Sequence, residues 1–148
     1  PKKQPKGLKK HEGPTISAAP IMTSVTNTSH SIFLAILIIH KETGDRTGEQ
    51  AESFNLGHIY RDIGDNAQAI VCLKHSLLIA REVNYRVNEG FTILILGQYY
   101  ESLSNIKQAL DYYMEGPKIA QEAGNCALEG RCCRALKRAY RSEEHTSE

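Results

Sequence analysis

Apolar residues in this chain fall into helical stripes separated by short polar breaks. Between 47 and 63 they recur at Ala51, Phe54, Ile59 and Ile63, with Leu56 and Tyr60 between them. This spacing predicts an amphipathic helix whose apolar face is wide enough for two neighbours. Gly64-Asp65-Asn66 then breaks the stripe as a tight turn. A second stripe, over 66–83, places Ala69, Ile70, Leu73, Leu77 and Ala80 on one face and predicts a second helix. Gly44, Asn84 and Gly124 punctuate the chain at a spacing of forty.

The two stripes are written twice. Shifted by forty, Arg46 falls on Arg86, Glu49 on Glu89, Leu56 on Leu96, Gly57 on Gly97 and Tyr60 on Tyr100. Gln68 falls on Gln108, Ala69 on Ala109, Ile79 on Ile119, Ala80 on Ala120 and Glu82 on Glu122. These ten identities between 44–83 and 84–123 compare with about two or three expected from average composition. A fixed period of this size marks an array of supersecondary units, not a single closed core. Helix pairs are therefore expected at 47–63/66–83 and 86–103/106–123. Ile39 and Glu42 continue the register upstream, and Glu129, Leu136 and Tyr140 continue it downstream. Residues 31–43 thus read as the second half of an earlier repeat and 124–141 as the first half of a later one. With Pro1 at its start and a repeat cut short at its end, the sequence reads as a piece of a longer array or as an incomplete gene model.

The strings Leu56-Gly57-His58-Ile59-Tyr60 then Ala69, and Leu96-Gly97-Gln98-Tyr99-Tyr100 then Ala109, resemble the tetratricopeptide repeat. The resemblance covers roughly 31–141. Ser76 and Gly116 suit the small residue that the pattern asks for later in its second helix, whereas the usual Trp position holds Ser53 and Ile93. Pro117 lies inside a predicted helix, so a kink or frayed turn is expected near Gly116-Pro117. The ordinary period of about 34 residues is here forty, with Gly44–Glu49 as the extra turn. That length, and Gly-Asp-Arg-x-x-Glu at 44–49, resemble the long-repeat subclass that includes the Partner-of-Inscuteable (LGN-type) scaffolds, rapsyn and the tetratricopeptide repeat protein 28 group. The resemblance implies an all-α, right-handed superhelical array of antiparallel helix pairs. It implies a concave groove lined by the first helix of each pair, with Phe54, His58, Arg61, Leu94, Gln98 and Glu101 as partner-binding residues. Arg61 and Glu101 would make that groove mixed in charge.

Composition changes this picture only at the ends. Formal net charge is +1, which supplies no global field toward nucleic acid or membrane. Lys2, Lys3, Lys6, Lys9 and Lys10 crowd a Pro/Gly-interrupted start, and a Ser/Thr-rich stretch follows, so 1–30 is expected to be a disordered arm. The apolar run 31–39 is too short for the roughly 20 residues of a membrane span, so it is expected to be a buried helix whose own partner is missing. One bare face there makes self-association of the chain an expected behaviour. Residues 142–148 break the register after Tyr140 and, with Arg141, read as adapter-derived sequence that carries no function.

Candidate chemistry is sparse. His11, His30, His40, His58, His75 and His145 are scattered, and Cys72, Cys126, Cys132 and Cys133 include no metal-ligand spacing. Cys72 is expected in the core, and Arg131 and Arg134 flank the Cys132-Cys133 pair, where they would lower a thiol pKa. No Gly-rich phosphate loop or nucleophile elbow is present. The expectation is a non-enzymatic, cofactor-free, metal-free cytoplasmic scaffold that binds a protein or peptide. The alternatives are a structural spacer in a longer array, or an adaptor domain of a larger enzyme.

Overall fold

The structure, a computed structural model, describes residues 18–147. Six helices follow one another: α1 Ala18–Thr43, α2 Arg46–Asp62, α3 Asn66–Glu82, α4 Arg86–Ser102, α5 Ile106–Glu122 and α6 Cys126–Thr146. No strand occurs among the described residues. Each helix packs on the next in the chain, and α4 also packs directly on α6. The predicted pairs are thus α2/α3 and α4/α5, each helix being 17 residues long.

The turns explain this regularity. Gly44, Gly64, Asn84, Ser104 and Gly124 all have positive φ, between 56° and 84°. They recur every twenty residues, half the period legible in the sequence. Each left-handed residue lets its own amide and the next one fold back on the helix just ended. Gly64 N–H donates to the Arg61 carbonyl at 3.0 Å and Asp65 N–H to the Tyr60 carbonyl at 2.9 Å. This is the Schellman arrangement, and Asn84-Tyr85, Ser104-Asn105 and Gly124-Asn125 repeat it. The residue that closes one helix also starts the next. Asp45, Asp65, Asn105 and Asn125 accept the amides of Gly48, Gln68, Gln108 and Leu128 on their side chains. Tyr85 occupies the same place before α4 without a capping acceptor. Of the residues beyond the ordinary period, Gly44 is the turn, Asp45 the N-cap and residues 46–49 the first turn of α2.

The strongest sequence identities prove to be structural. Arg46 pairs with Glu49 and Glu82, and Arg86 pairs with Glu89 at 2.8 Å and Glu122 at 3.7 Å. Each set ties the start of a first helix to the end of its own second helix. Glu49 and Glu89 are buried there, and each gains another partner: His75 Nε2 lies 2.9 Å from Glu49, and Arg81 Nε 3.1 Å from Glu89. Burial of this kind is tolerated because the carboxylates are paired and hydrogen-bonded.

The core runs through the second copy into α6: Leu73, Leu77, Ile93, Leu94, Leu96, Ala109, Leu110, Tyr113, Ala120, Leu128, Cys132, Ala135 and Ala139. Gly57 and Gly97 let the helices of each pair close. A Cβ on Gly57 would lie 2.7 Å from Leu73 Cγ, and one on Gly97 2.3 Å from the Tyr113 ring. Ala69 and Ala109, paired with these glycines in the sequence pattern, are fully buried, but Leu73 and Tyr113 make the closest approach.

Three expectations are corrected and a fourth is met. Helix α1 begins at Ala18, so the arm expected through residue 30 is helical from there; its lysines fall in 1–17, outside the described residues. The run 31–39 is at most half-buried, and Ile32, Ile38 and Ile39 are more than half exposed, which is the bare face expected there. Helix α5 continues through Pro117 to Glu122, so the turn there is not frayed, and Gly116 lies against Cys132, whose Sγ would be 2.9 Å from a Cβ at that position. Helix α6 continues past residue 141 to Thr146.

Candidate functional site

The first helices α2, α4 and α6 present matching stripes at the forty-residue register. On α2 the stripe is Ala51, Asn55, His58 and Asp62; on α4 it is Phe91, Ile95, Gln98 and Ser102. Steps of four, three and four keep each stripe on one face. Two depressions lie along this face. A crevice of about 260 Å³ between α2 and α4 is lined by Gln50, Ala51, Phe54, Asn55, Asn88 and Phe91. A smaller one of about 150 Å³ is lined by Arg61, Ile95, Gln98, Tyr99 and Ser102.

Five of the six residues named from the sequence reach this face, and their surroundings change what they offer. Phe54 is half-buried in the crevice wall, with the His58 ring edge-on at 4.7 Å. Burial pushes the His58 pKa down, helped by Arg61 and opposed by Asp62, which favours the neutral imidazole. Arg61 is exposed and pairs with its neighbour Asp62 at 3.1 Å. Gln98 is exposed in the second depression. Glu101 is committed elsewhere: its oxygens accept Arg138 Nε and Nη2, both at 2.8 Å, and the Tyr113 hydroxyl at 2.7 Å. The Arg138 hydrogen bond holds the Glu101 carboxyl below the usual range against the opposing effect of burial. Burial and the bond to Glu101 push the Tyr113 hydroxyl up.

Leu94 is the correction. It is fully buried in the core, so it is inaccessible to a partner. Its register equivalent Phe54 escapes that fate because the two first-helix junctions differ. Leu128 of α6 packs into the space left by Gly90, its Cδ2 2.7 Å from where a Cβ would stand. The matching positions between α2 and α4 are Asn88 and Gln50, which are polar and bridge at 2.8 Å. Charge is redistributed as well. Arg61 does not face Glu101 as a partner, and each is neutralised by another residue. Arg131, equivalent to Ala51 and Phe91, lies 5.7 Å above the Phe91 ring.

Sequence reasoning missed Ala51, Asn55, Asn88, Phe91, Ile95 and Arg131 as lining residues. The signal that could have found them was the stripe itself, since every fourth or third residue from Ala51 shares its face. The thiols also differ from expectation: Cys72 is only half-buried, and burial raises the Cys132 pKa, outweighing Arg131. No cluster of His, Cys, Asp or Glu among the described residues is arranged to hold a metal. No described helix is long and apolar enough to cross a membrane.

The tetratricopeptide repeat family model matches residues 49–122, half of the chain. The chain belongs to the tetratricopeptide repeat family. The match begins and ends on Glu49 and Glu122, members of the two ion-pair sets, and so spans both copies. No curated protein matches the chain. As a tetratricopeptide repeat protein, it has an all-α repeat fold of a kind that generally mediates protein–protein interaction.

Proposed function

We propose that this tetratricopeptide repeat chain is an interaction scaffold that holds a peptide or helix of a protein partner against the face formed by α2, α4 and α6. The supporting observation is the pair of depressions on that face, lined by side chains from equivalent positions of two repeats. Neither depression has the nucleophile–base or metal arrangement that catalysis would need. Phe54, His58, Arg61 and Gln98 are the contacts of this reading, with Glu101 buttressing the face through Arg138. Membership of the long-repeat subclass, with the Partner-of-Inscuteable (LGN-type) scaffolds, rapsyn and the tetratricopeptide repeat protein 28 group, belongs to the same proposal. It rests on the forty-residue period and on Gly-Asp-Arg-x-x-Glu at 44–49. The organisation as half repeat 31–43, full repeats 44–83 and 84–123 and half repeat 124–141 belongs here too, as does a cytoplasmic setting.

The test is a random peptide library displayed on phage and selected on the full chain. Selected peptides are then titrated against the parent and against the His58→Ala/Arg61→Ala/Gln98→Ala triple variant. The variant should keep its helicity by circular dichroism and lose affinity on the order of tenfold. Equal affinity would move the binding surface elsewhere and favour the spacer reading, in which these two repeats only connect others.

A further inference from the structure

The crevice between α2 and α4 has a construction that the second depression lacks. Ala51, Phe54 and Phe91 form apolar walls, and Gln50, Asn55 and Asn88 form the polar part of the lining. Gln50 is almost fully buried, and its amide is satisfied on both sides. It donates to Ser76 Oγ at 2.9 Å and accepts from Asn88 Nδ2 at 2.8 Å. Ser76 Oγ in turn donates to the Gln50 carbonyl at 3.1 Å. The Asn88–Gln50 bond spans α2 and α4, and a collapse that displaced it would leave a buried amide unpaired. The opening is therefore built in. Among the described residues, the Asn55 side-chain amide makes no hydrogen bond.

We propose that this crevice is the anchor subsite of the groove: it seats one apolar side chain of an extended peptide, and Arg131 receives an acidic side chain two residues away from that anchor. The inference rests on the peptide-binding reading above and adds the chemistry of the partner. Size sets the first half. At about 260 Å³ the space falls below the roughly 300–1,000 Å³ of small-molecule pockets and suits a single side chain. Asn55 at its edge supplies an amide that can both donate to and accept from a peptide backbone.

Charge sets the second half. Around the groove, Arg61 is neutralised by Asp62, and Arg138 by Glu101. Arg131 has no acidic partner among the described residues. Its guanidinium stands 5.7 Å from the centre of Phe91, a wall of the crevice. In an extended chain, side chains two residues apart point the same way and lie about 6.6 Å apart. An anchor against Phe91 therefore brings the side chain two positions along to Arg131. The partner segment has the form apolar–x–acidic, or its reverse. The α4/α6 junction offers no second anchor, because Leu94 and Leu128 fill it.

The experiment uses the phage-selected peptides and the whole chain. Enriched sequences should carry an apolar residue with Asp or Glu two positions away. Fluorescence polarisation then compares the best such peptide with two relatives, one with the acid changed to its amide and one with the anchor changed to Ser. Parent chain should prefer the acid over the amide by about fivefold, the scale of a partly exposed ion pair. Arg131→Gln should abolish that preference while still binding both peptides. Ala51→Phe, which fills the crevice from an exposed position, should weaken the parent peptide on the order of tenfold and make the Ser relative bind as well as the apolar one. The inference is overturned if enriched peptides lack the pattern. It is also overturned if Arg131→Gln keeps the acid preference, or if Ala51→Phe leaves the anchor preference intact. Peptides that bind through His58, Arg61 and Gln98 yet ignore Ala51 and Arg131 would sink this inference alone. Selection of no peptide at all would sink it together with the groove reading.

Discussion

The two copies of the repeat share a frame and differ in what fills it. Both use the same ion-pair set, the same left-handed turns and the same glycine under a large side chain. The first copy lines its inner contacts with Gln50, Ser53 and Ser76, where the second has Gly90, Ile93 and Gly116. Ser53 Oγ is buried without a partner, whereas Ile93 sits in the apolar core cluster. In consequence the core is continuous through the second copy and α6, and the junction on the first-copy side stays open. The difference teaches that repetition of a frame does not repeat a surface. Two or three polar substitutions at an interface turn a packed junction into a crevice.

The comparison can be broken most forcefully at the glycines. Gly97→Leu should cost about 3 kcal/mol or more and Gly57→Leu about 1–3 kcal/mol. The Tyr113 ring over Gly97 is held by its bond to Glu101 and cannot swing aside, whereas Leu73 over Gly57 is free of such a bond. Urea denaturation followed by circular dichroism measures both. Equal losses would mean that the two pairs pack alike.

Pro117 of the second copy stands where the first has Leu77. Its missing N–H deprives the Tyr113 carbonyl of a helical donor. Pro117→Ala should raise stability by about 1–2 kcal/mol, less than the full difference in helix propensity because proline also restrains the unfolded chain. An unchanged denaturation midpoint would show that α5 has already absorbed the cost.

Smaller still is the cap before α4. Tyr85 stands where Asp45, Asp65, Asn105 and Asn125 carry an accepting side chain. Tyr85→Asp should stabilise by about 1 kcal/mol, and Tyr85→Ala should not. A gain of the same size from both would assign the effect to removal of the exposed ring.

The smallest contrast is in pH dependence. Burial raises the Glu49 pKa, but the hydrogen bonds from His75 and Arg46 outweigh it, so the folded carboxyl titrates below its ordinary 4.5. A depressed folded pKa contributes stability that is present above the unfolded value and lost as pH falls through the folded one. Unfolding free energy should therefore fall as pH drops below about 4.5, and Glu49→Gln should flatten that decline. Identical slopes in parent and variant would remove Glu49 from the acid response.

Much of the fold is legible in the sequence because its signals are local. The helix limits expected from the apolar stripes agree with the structure to within one residue at every end of α2 to α5, since the turn residues and caps act within a few positions of themselves. Ser104 is not legible as a turn because serine seldom takes positive φ. The candidate site is less legible. Phe54 and Leu94 are equivalent in the sequence pattern, yet one lines a crevice and the other is core. Within their own helices they differ in the residue four positions earlier, Gln50 before Phe54 and Gly90 before Leu94, and the effect of that residue depends on what packs against it. The separation comes from Asn88 in one case and Leu128 in the other, residues of the following first helix.

The sequence by itself determined the period, the helix pairs, most of the turns that join them and the family, because each depends on residues close in the chain or on a repeat of the chain against itself. Only the tertiary structure decided which positions of the first helices remain open, which charges are already neutralised and where a partner would find an anchor. Those outcomes depend on side chains more than thirty residues apart meeting across a junction, as Gln50 meets Asn88 and Glu101 meets Arg138. Their free energy is set by desolvation and packing, which no local pattern records.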